Sequence, residues 1–448
     1  MSASDTIFAL SSAPGRAGVA VFRMSGPATR SGLTALAGGL PEPRRASLRA
    51  LRNPADGAEI DRGLVLWLPG PQSFTGEDMG EVHIHGSRAV AAALTGLLAA
   101  LKGFRLAEPG EFARRAFENG RLDLTEVEGL ADLIDAETEA QRRQAVRQLE
   151  GATGKLYDGW RDRLLHALAH LEAVLDFSDE GDVPGSLAEE VATEAAAVAA
   201  EIGRHLSDGR RGERLRDGVR VVIAGPPNAG KSTLMNALAR RDVAIVSERA
   251  GTTRDVIEVH FDLNGYPVIL TDTAGLREAA DEIEEEGVRR ARRALERADI
   301  LVWLDATAEK PSTEVPGLRE GQRLVHVRSK WDLQADSAPT QTAQSAELRL
   351  SVPKDWGIDA LIERIALAAS ELCGSGEDPA ITRARHRLAI EDCAAALGRF
   401  AEADKGNAST ELLAEELRLA TRALGRLTGR VDVEDLLDVI FADFCIGK

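Results

Sequence analysis

VRVVIAGPPNAGKSTLMNALA, residues 219–239, decides the fold of the central part of the chain. Val219–Gly225 is a short, nearly all-apolar run that ends in glycine, the pattern of a strand buried on both faces. STLMNALA then reads as a helix. Between them GPPNAGKS, Gly225 to Ser232, fits GxxxxGK[ST] in the strand–loop–helix setting that this motif requires. Its glycines let backbone N–H groups face a β-phosphate, and Lys231 places a point charge on the β/γ oxygens. The helix N-terminus adds partial positive charge, and Ser232 can ligate Mg²⁺. A chance glycine turn is the bland alternative, and the flanking strand and helix argue against it.

Reading outward toward the C-terminus, strands are expected at Val256–Leu263, Val268–Thr271, Ile300–Asp305 and Leu324–Arg328. This βα alternation indicates a largely parallel sheet covered by helices. DTAG at 272–275 follows the apolar PVILT. Asp272 can hold magnesium through water, and Gly275 can bring its N–H to a γ-phosphate. GTTRD at 251–255 lies between the two motifs and supplies Thr253 as a second hydroxyl ligand of the metal, in a segment able to order around phosphate. These motifs resemble the translation-factor-like class of P-loop GTPases. In that class the next motif is Asn-Lys-x-Asp, whose aspartate accepts from guanine N1 and N2. Here it reads Ser329-Lys330-Trp331-Asp332, with serine in place of the asparagine. The following Ser-Ala-Lys becomes Ser351-Val352-Pro353. Leu276 stands where Ras-type proteins place a glutamine, and DEIEEEG at 281–287 offers carboxylates to orient water or simply starts a solvated helix.

The flanks have other textures. Residues 1–120 alternate short apolar runs with turns. Strands are expected at Ile7–Leu10, Gly18–Met24, Gly63–Leu68 and Glu81–His85, with a helix at Ala89–Leu101, which makes an α+β or mixed α/β domain. The basic stretch Arg44–Arg52 reads as a solvated loop or edge. From Leu122 the apolar period becomes helical through Leu175, with Gly151 and Gly154 as interruptions, a loop at 178–185 and a resumed helix at Leu187–Leu206. Beyond Gly357 helices are expected at Ile358–Leu372, Arg385–Ala401, Leu412–Leu427 and Val433–Phe444. Helical blocks on both sides of the α/β unit suggest an inserted domain, which requires its two ends to lie close together.

The 448 residues suit two to four domains. Net charge is −17, which argues against a surface basic along its whole length for nucleic acid. The excess is uneven: residues 1–120 carry +2 and the remainder −19. Three cysteines without CxxC spacing give neither a disulfide framework nor a zinc signature. No signal peptide is visible and no apolar run is long enough to span a bilayer, so a cytoplasmic location without a membrane partner is expected.

DTIFALSSAPGRAGVAVFRMSG at 5–26, SFTGEDMGEVHIHG at 73–86, EPGEFARRAFENGRLDLTEVEGLADLIDA at 108–136 and the terminal DLLDVIFADFCIGK at 435–448 resemble, with the motifs above, the MnmE/TrmE family of tRNA uridine-modification GTPases. The resemblance implies a multidomain fold. It has an α+β folate-binding and dimerisation domain (1–120), a discontinuous all-α helical domain (121–216 and 374–448) and an inserted α/β P-loop GTPase domain (217–373). It also implies a homodimer that joins the flavoprotein MnmG or GidA in a heterotetramer acting on tRNA. Together they place an aminomethyl or carboxymethylaminomethyl group at C5 of the wobble uridine. The carbon comes from 5,10-methylenetetrahydrofolate, with 5-formyltetrahydrofolate as the alternative folate, and FAD and NADH serve through the partner.

Carried over by position, folate contacts fall on Arg23, Glu81, Arg121 and Lys448. Without the resemblance Arg23 reads as a surface arginine. His83 and His85 share a strand face but lack a third metal ligand nearby in sequence. GTP or GDP is contacted by the loop Asn228, Ala229, Gly230, Lys231, Ser232 and Thr233, and by the loop Ser247, Glu248, Arg249, Ala250, Gly251, Thr252 and Thr253. Asp272, Thr273, Ala274 and Gly275 follow, and the base lies against Ser329, Lys330, Asp332, Ser351, Val352 and Pro353. Ser232 and Thr253 take magnesium; Asn228, Ser247, Arg249 and Thr252 take potassium, which replaces an arginine finger. Lys231 is catalytic with Glu284, which orients water. Cys445 is either a nucleophile toward the uridine or a residue that shapes the folate pocket. The competing function is a non-catalytic regulatory or ribosome-assembly GTPase that binds RNA or protein; an ATPase is a third reading.

Overall fold

The computed structural model describes residues 5–176, 186–241, 243–245, 258–272, 294–306, 318–374, 379–406, 408–431, 437, 438, 440, 441, 444 and 447. The chain divides into two compact units, residues 1–131 with 425–448 and residues 132–424.

The first unit is built on β1 (Thr6–Leu10), β2 (Ala17–Ser25), β3 (Ser47–Arg52), β4 (Glu59–Leu68), β5 (Met79–Gly86) and β6 (Phe104–Leu106), with helices α1 (Thr29–Ala37), α2 (Arg88–Ala100), α3 (Glu111–Glu118) and the start of α4 (Leu124–Asp135). The sheet order is β3-β4-β5-β2-β1-β6, with only β1 and β6 parallel. Alternate residues of β2 point inward: Ala20, Phe22 and Met24 join Phe8, Leu33, Val82 and Leu94 in one core. Arg23, between them, is left on the other face. The basic stretch at Arg44–Arg52 contains an edge strand, β3, in which Leu51 is buried while Arg49 and Arg52 are exposed. Exposed charge on an edge discourages pairing with another chain.

Residues 425–448 group with this first unit. The physical reason is burial: Leu437, Phe441 and Phe444 pack on Ala113, Leu124 and Val127. Gly110 makes room for them at φ +68°, where a Cβ would lie 2.6 Å from the Phe441 carbonyl oxygen. The described residues 437, 438, 440 and 441 are helical, within the helix expected at Val433–Phe444.

The second unit begins with α5 (Glu139–Leu149), α6 (Ala152–Asp176), α7 (Ser186–Leu206) and α8 (Arg211–Asp217). Thr138 and Gln141 form a capping box at the start of α5. The break between α5 and α6 falls at Gly151, whereas Gly154 lies inside α6 and does not interrupt it. Then come β7 (Val219–Ala224), α9 (Lys231–Ala239), β8 (Ala244–Ile245), β9 (Glu258–Leu263), β10 (Tyr266–Asp272), β11 (Ile300–Asp305), β12 (Arg323–Arg328) and β13 (Leu348–Arg349). The helices α10 (Ile358–Cys373), α11 (Ala384–Lys405) and most of α12 (Thr410–Thr428) follow. Strand order is β13-β12-β11-β7-β10-β9-β8, with β7 central; only β9 runs against the others, so its pairings with β10 and β8 are antiparallel and the rest are parallel.

Helix α11 packs on α7, which joins helical segments from before and after the sheet. The ends of the α/β part do lie together. Asp132 Oδ1 accepts from Arg216 Nε at 2.9 Å, on the way in, and from Arg383 Nη2 at 2.7 Å, on the way out. Arg387 adds a bond to Glu213 at 2.9 Å. A Cβ on Gly212 would stand 2.5 Å from the Ile381 carbonyl oxygen, so the entry and exit segments touch.

His205 is packed against Tyr157 and Trp160, with ring centroids 5.9 and 5.4 Å away. Burial lowers its pKa below 6.5, Asp208 opposes this and Arg387 adds to it. The unfolded chain therefore binds this proton more readily than the folded one, and stability is lost as pH falls through about 6.5. Thermal melts should show a lower Tm at pH 5.5 than at pH 7.5, with a smaller drop in His205→Gln; equal drops in both would contradict this assignment.

Candidate functional site

At the end of β7 the chain turns at Gly225, where φ is +146° and a Cβ would lie 2.2 Å from the Leu304 carbonyl oxygen. No other residue fits there. Asn228 takes a left-handed φ of 60° and is exposed, and Gly230 (φ +95°) leads into α9. Lys231 Nζ folds back over the loop, donating to the carbonyls of Gly225 at 3.1 Å and Pro226 at 2.9 Å. Ser232 and Thr233 are exposed on the first turn of α9. The loop therefore gathers an ammonium, a helix N-terminus and two hydroxyls at one mouth, a constellation suited to a polyphosphate and its metal. Strand β10 lies beside β7 with Asp272 in register with Ile223, so DTAG starts next to the phosphate loop.

The SKWD loop is tied to the phosphate loop. Ser329 is 3% exposed, and its Oγ donates to the Ala229 carbonyl at 2.6 Å, with the Asp305 carbonyl at 3.4 Å. Its N–H donates to the Asp305 carbonyl at 2.8 Å. Lys330 adopts a left-handed φ of 55°, which turns the chain into Trp331–Leu333. Ser351 is fully buried and its hydroxyl donates to Asp332 Oδ1 at 2.5 Å. Val352 and Pro353 follow in a turn closed by backbone bonds between Ser351 and Trp356 at 2.9 and 3.0 Å. The structure thus brings Asn228–Thr233, Ser329–Asp332 and Ser351 together at the C-terminal ends of the parallel strands. Ser247, Glu248, Arg249, Ala250, Gly251, Thr252, Thr253, Thr273, Ala274, Gly275 and Glu284 lie outside the described residues, as do Cys445 and Lys448.

In the first unit Arg23 and Glu81 are direct cross-strand partners. Arg23 Nη2 donates to Glu81 Oε1 at 3.0 Å, its guanidinium stands 5.6 Å from the Phe74 ring centre, and His83 Nε2 is 3.5 Å from Glu81 Oε2. Arg121 reaches the same loop: a Cβ on Gly76 would be 3.3 Å from Arg121 Cγ. Gly447 lies against the end of β1, its carbonyl accepting from Ser11 Oγ at 3.0 Å. His85 Nδ1 is 2.8 Å from Asp61 Oδ1. Among the described residues no group of three or more His, Cys, Asp or Glu is placed to hold a metal ion.

Sequence reading missed the support beneath this face. Arg115, 8% exposed, donates to Glu77 at 3.0 Å, to Glu111 at 3.1 Å and to the Asp5 carbonyl at 3.0 Å. Ser25 Oγ donates to Glu77 Oε2 at 2.6 Å, so the 73–79 loop is fixed from two sides. Burial would raise the Glu111 carboxyl, but the bonds from Arg105, the Glu108 N–H and Arg115 hold it below 4.5. The available signal was the i, i+4 spacing of Glu111 and Arg115 in EPGEFARR.

The MnmE helical domain model matches residues 124–445, and the model described as the GTP-binding protein TrmE N-terminus matches residues 6–121. The chain is 56% identical to the tRNA modification GTPase MnmE of Parvibaculum lavamentivorans over 99% of this chain and all of that one. It is 53% identical to the protein of the same name from Paramagnetospirillum magneticum and 56% identical to that from a Methylobacterium species, in each case over 99% of this chain and all of the relative. No helix among the described residues is long and apolar enough to cross a membrane.

Proposed function

The chain belongs to the MnmE (TrmE) family and is a GTP hydrolase, and we propose that it couples GTP turnover to folate-dependent modification of the wobble uridine of certain tRNAs. In this reading the flavoprotein MnmG or GidA is the partner, supplying FAD and NADH chemistry. The group added at C5 of the uridine is an aminomethyl or carboxymethylaminomethyl, and its carbon comes from 5,10-methylenetetrahydrofolate. The working divisions are 1–120 for folate and dimerisation, 121–216 and 374–448 for the helical domain, and 217–373 for the nucleotide.

Lys231 binds the β/γ oxygens once a nucleotide draws its amine from the loop carbonyls, and Asp332 reads the base. Ser232 with Thr253 would hold magnesium, and Glu284 would orient the attacking water. Asn228, exposed and held in a left-handed turn, fits a cation ligand beside the phosphates; with Ser247, Arg249 and Thr252 it would hold potassium, which offsets charge between the β and γ phosphates.

The observation that carries the folate half is the Arg23–Glu81 pair beside Phe74, with Arg23 on β2, the strand next to β1, against whose end Gly447 docks. An arginine suits the anionic glutamate tail, and a carboxylate suits the N–H edge of a pterin. Lys448, next after Gly447, would add a second cation, and Arg121 a third. Cys445 we assign to shaping this pocket. Dimerisation through the same face is supported by Leu48 and Leu64, cross-strand partners that are 72% and 40% exposed, one row from Glu81.

Titration of the full chain with 5-formyltetrahydrofolate tests this reading. Binding should be tight in the wild type and weakened about tenfold or more in Arg23→Ala, a loss of one charge-assisted contact. Absence of binding, or equal binding by the variant, would favour the regulatory GTPase instead.

A further inference from the structure

We propose that Ser329 ties the base loop to the phosphate loop with its single hydroxyl proton and gives none to the base, leaving Asp332 as the side chain on this loop that tells guanine from other purines. The inference rests on reading the site as a guanine-nucleotide pocket.

A serine hydroxyl has one proton to donate. Here it points to the Ala229 carbonyl at 2.6 Å, and the next nearest partner, the Asp305 carbonyl at 3.4 Å, is also an acceptor. At 3% exposure water does not relieve either group. Guanine presents N7 and O6 as acceptors, so Ser329 cannot donate to them without releasing Ala229 and leaving a buried carbonyl unpaired. An asparagine has two N–H donors and can serve the carbonyl and the base together. Asp332 is placed differently. Its Oδ1 receives the Ser351 hydroxyl at 2.5 Å, which fixes the carboxylate. A carboxylate has about four acceptor sites, enough left for the N1–H and N2–H donors of guanine. Ser329 is thus a positioning residue: Ala229 follows Asn228 and precedes Lys231 by two, so the tie steadies the phosphate loop.

The test uses the full chain and competition against a fluorescent GDP. The competitors are GDP, 7-deaza-GDP (carbon in place of N7) and IDP (no 2-amino group). Wild type should bind GDP and 7-deaza-GDP within about twofold of each other, and IDP roughly tenfold more weakly. Ser329→Asn should acquire a preference of about fivefold for GDP over 7-deaza-GDP, while Ser329→Ala should weaken both equally. A wild-type preference of fivefold or more for GDP over 7-deaza-GDP would overturn the proposal, and so would equal binding of GDP and IDP. The wild-type comparison stands even where a variant fails to fold. Absence of any GDP binding is a separate result, and it would overturn the guanine-nucleotide reading itself.

Discussion

Lys231→Ala is expected to reduce GTP turnover by about 10³-fold, the scale of losing a preorganised charge on the developing transition state. The wild-type amine already sits in the phosphate loop, held by the carbonyls of Gly225 and Pro226 at 3.1 and 2.9 Å. A bound polyphosphate offers it charged oxygens in place of neutral ones, so it needs to move little. Alanine leaves the turn at Gly225 and the start of α9 intact, so the protein should melt as the wild type does. Rates of phosphate release in potassium and in sodium check this: the wild type should be faster in potassium, and the variant slow in both. A variant with wild-type turnover would remove Lys231 from the chemistry.

Asp332→Asn should exchange the base rather than abolish binding. The Ser351 hydroxyl is buried and donates to Oδ1. In the variant it would keep the amide oxygen on its own side and turn the NH₂ toward the base. That NH₂ meets the N2 amino group of guanine donor to donor, whereas xanthine carries a carbonyl there. Affinity for GTP should fall about 10²-fold or more, as two bonds to a charged acceptor are lost, and XTP should become the better ligand. Equal loss of GTP and XTP binding would show that Asp332 supports the loop and does not read the base.

The parts of the fold legible in the sequence are those in which local pattern and burial agree. Ile300–Asp305 was readable residue for residue because ILVWLD is buried throughout, and a run of that kind has no competing register. The phosphate loop was readable because its glycines answer to local sterics, with Gly225 pressed on the Leu304 carbonyl. Strand β3 was open to either reading, since SLRALR buries one leucine and exposes its arginines. Helices α1 and α3 escaped notice because they are short and α1 lacks a side-chain cap. Distant pairings left no trace at all. Ser11 bonds Gly447 across 436 residues, Arg115 reaches Glu77 across 38, and Ser329 meets Ala229 across 100. The motif shows that the asparagine is gone; only the fold shows that the serine keeps its tie to the phosphate loop.

GTP turnover by this chain is proposed to serve wobble-uridine modification. Mass spectrometry of tRNA wobble nucleosides checks this in cells whose only copy of the chain carries Lys231→Ala. In those cells the C5-aminomethyl and carboxymethylaminomethyl uridines should disappear, and they should return with the wild-type chain. Full modification in the variant cells would contradict it.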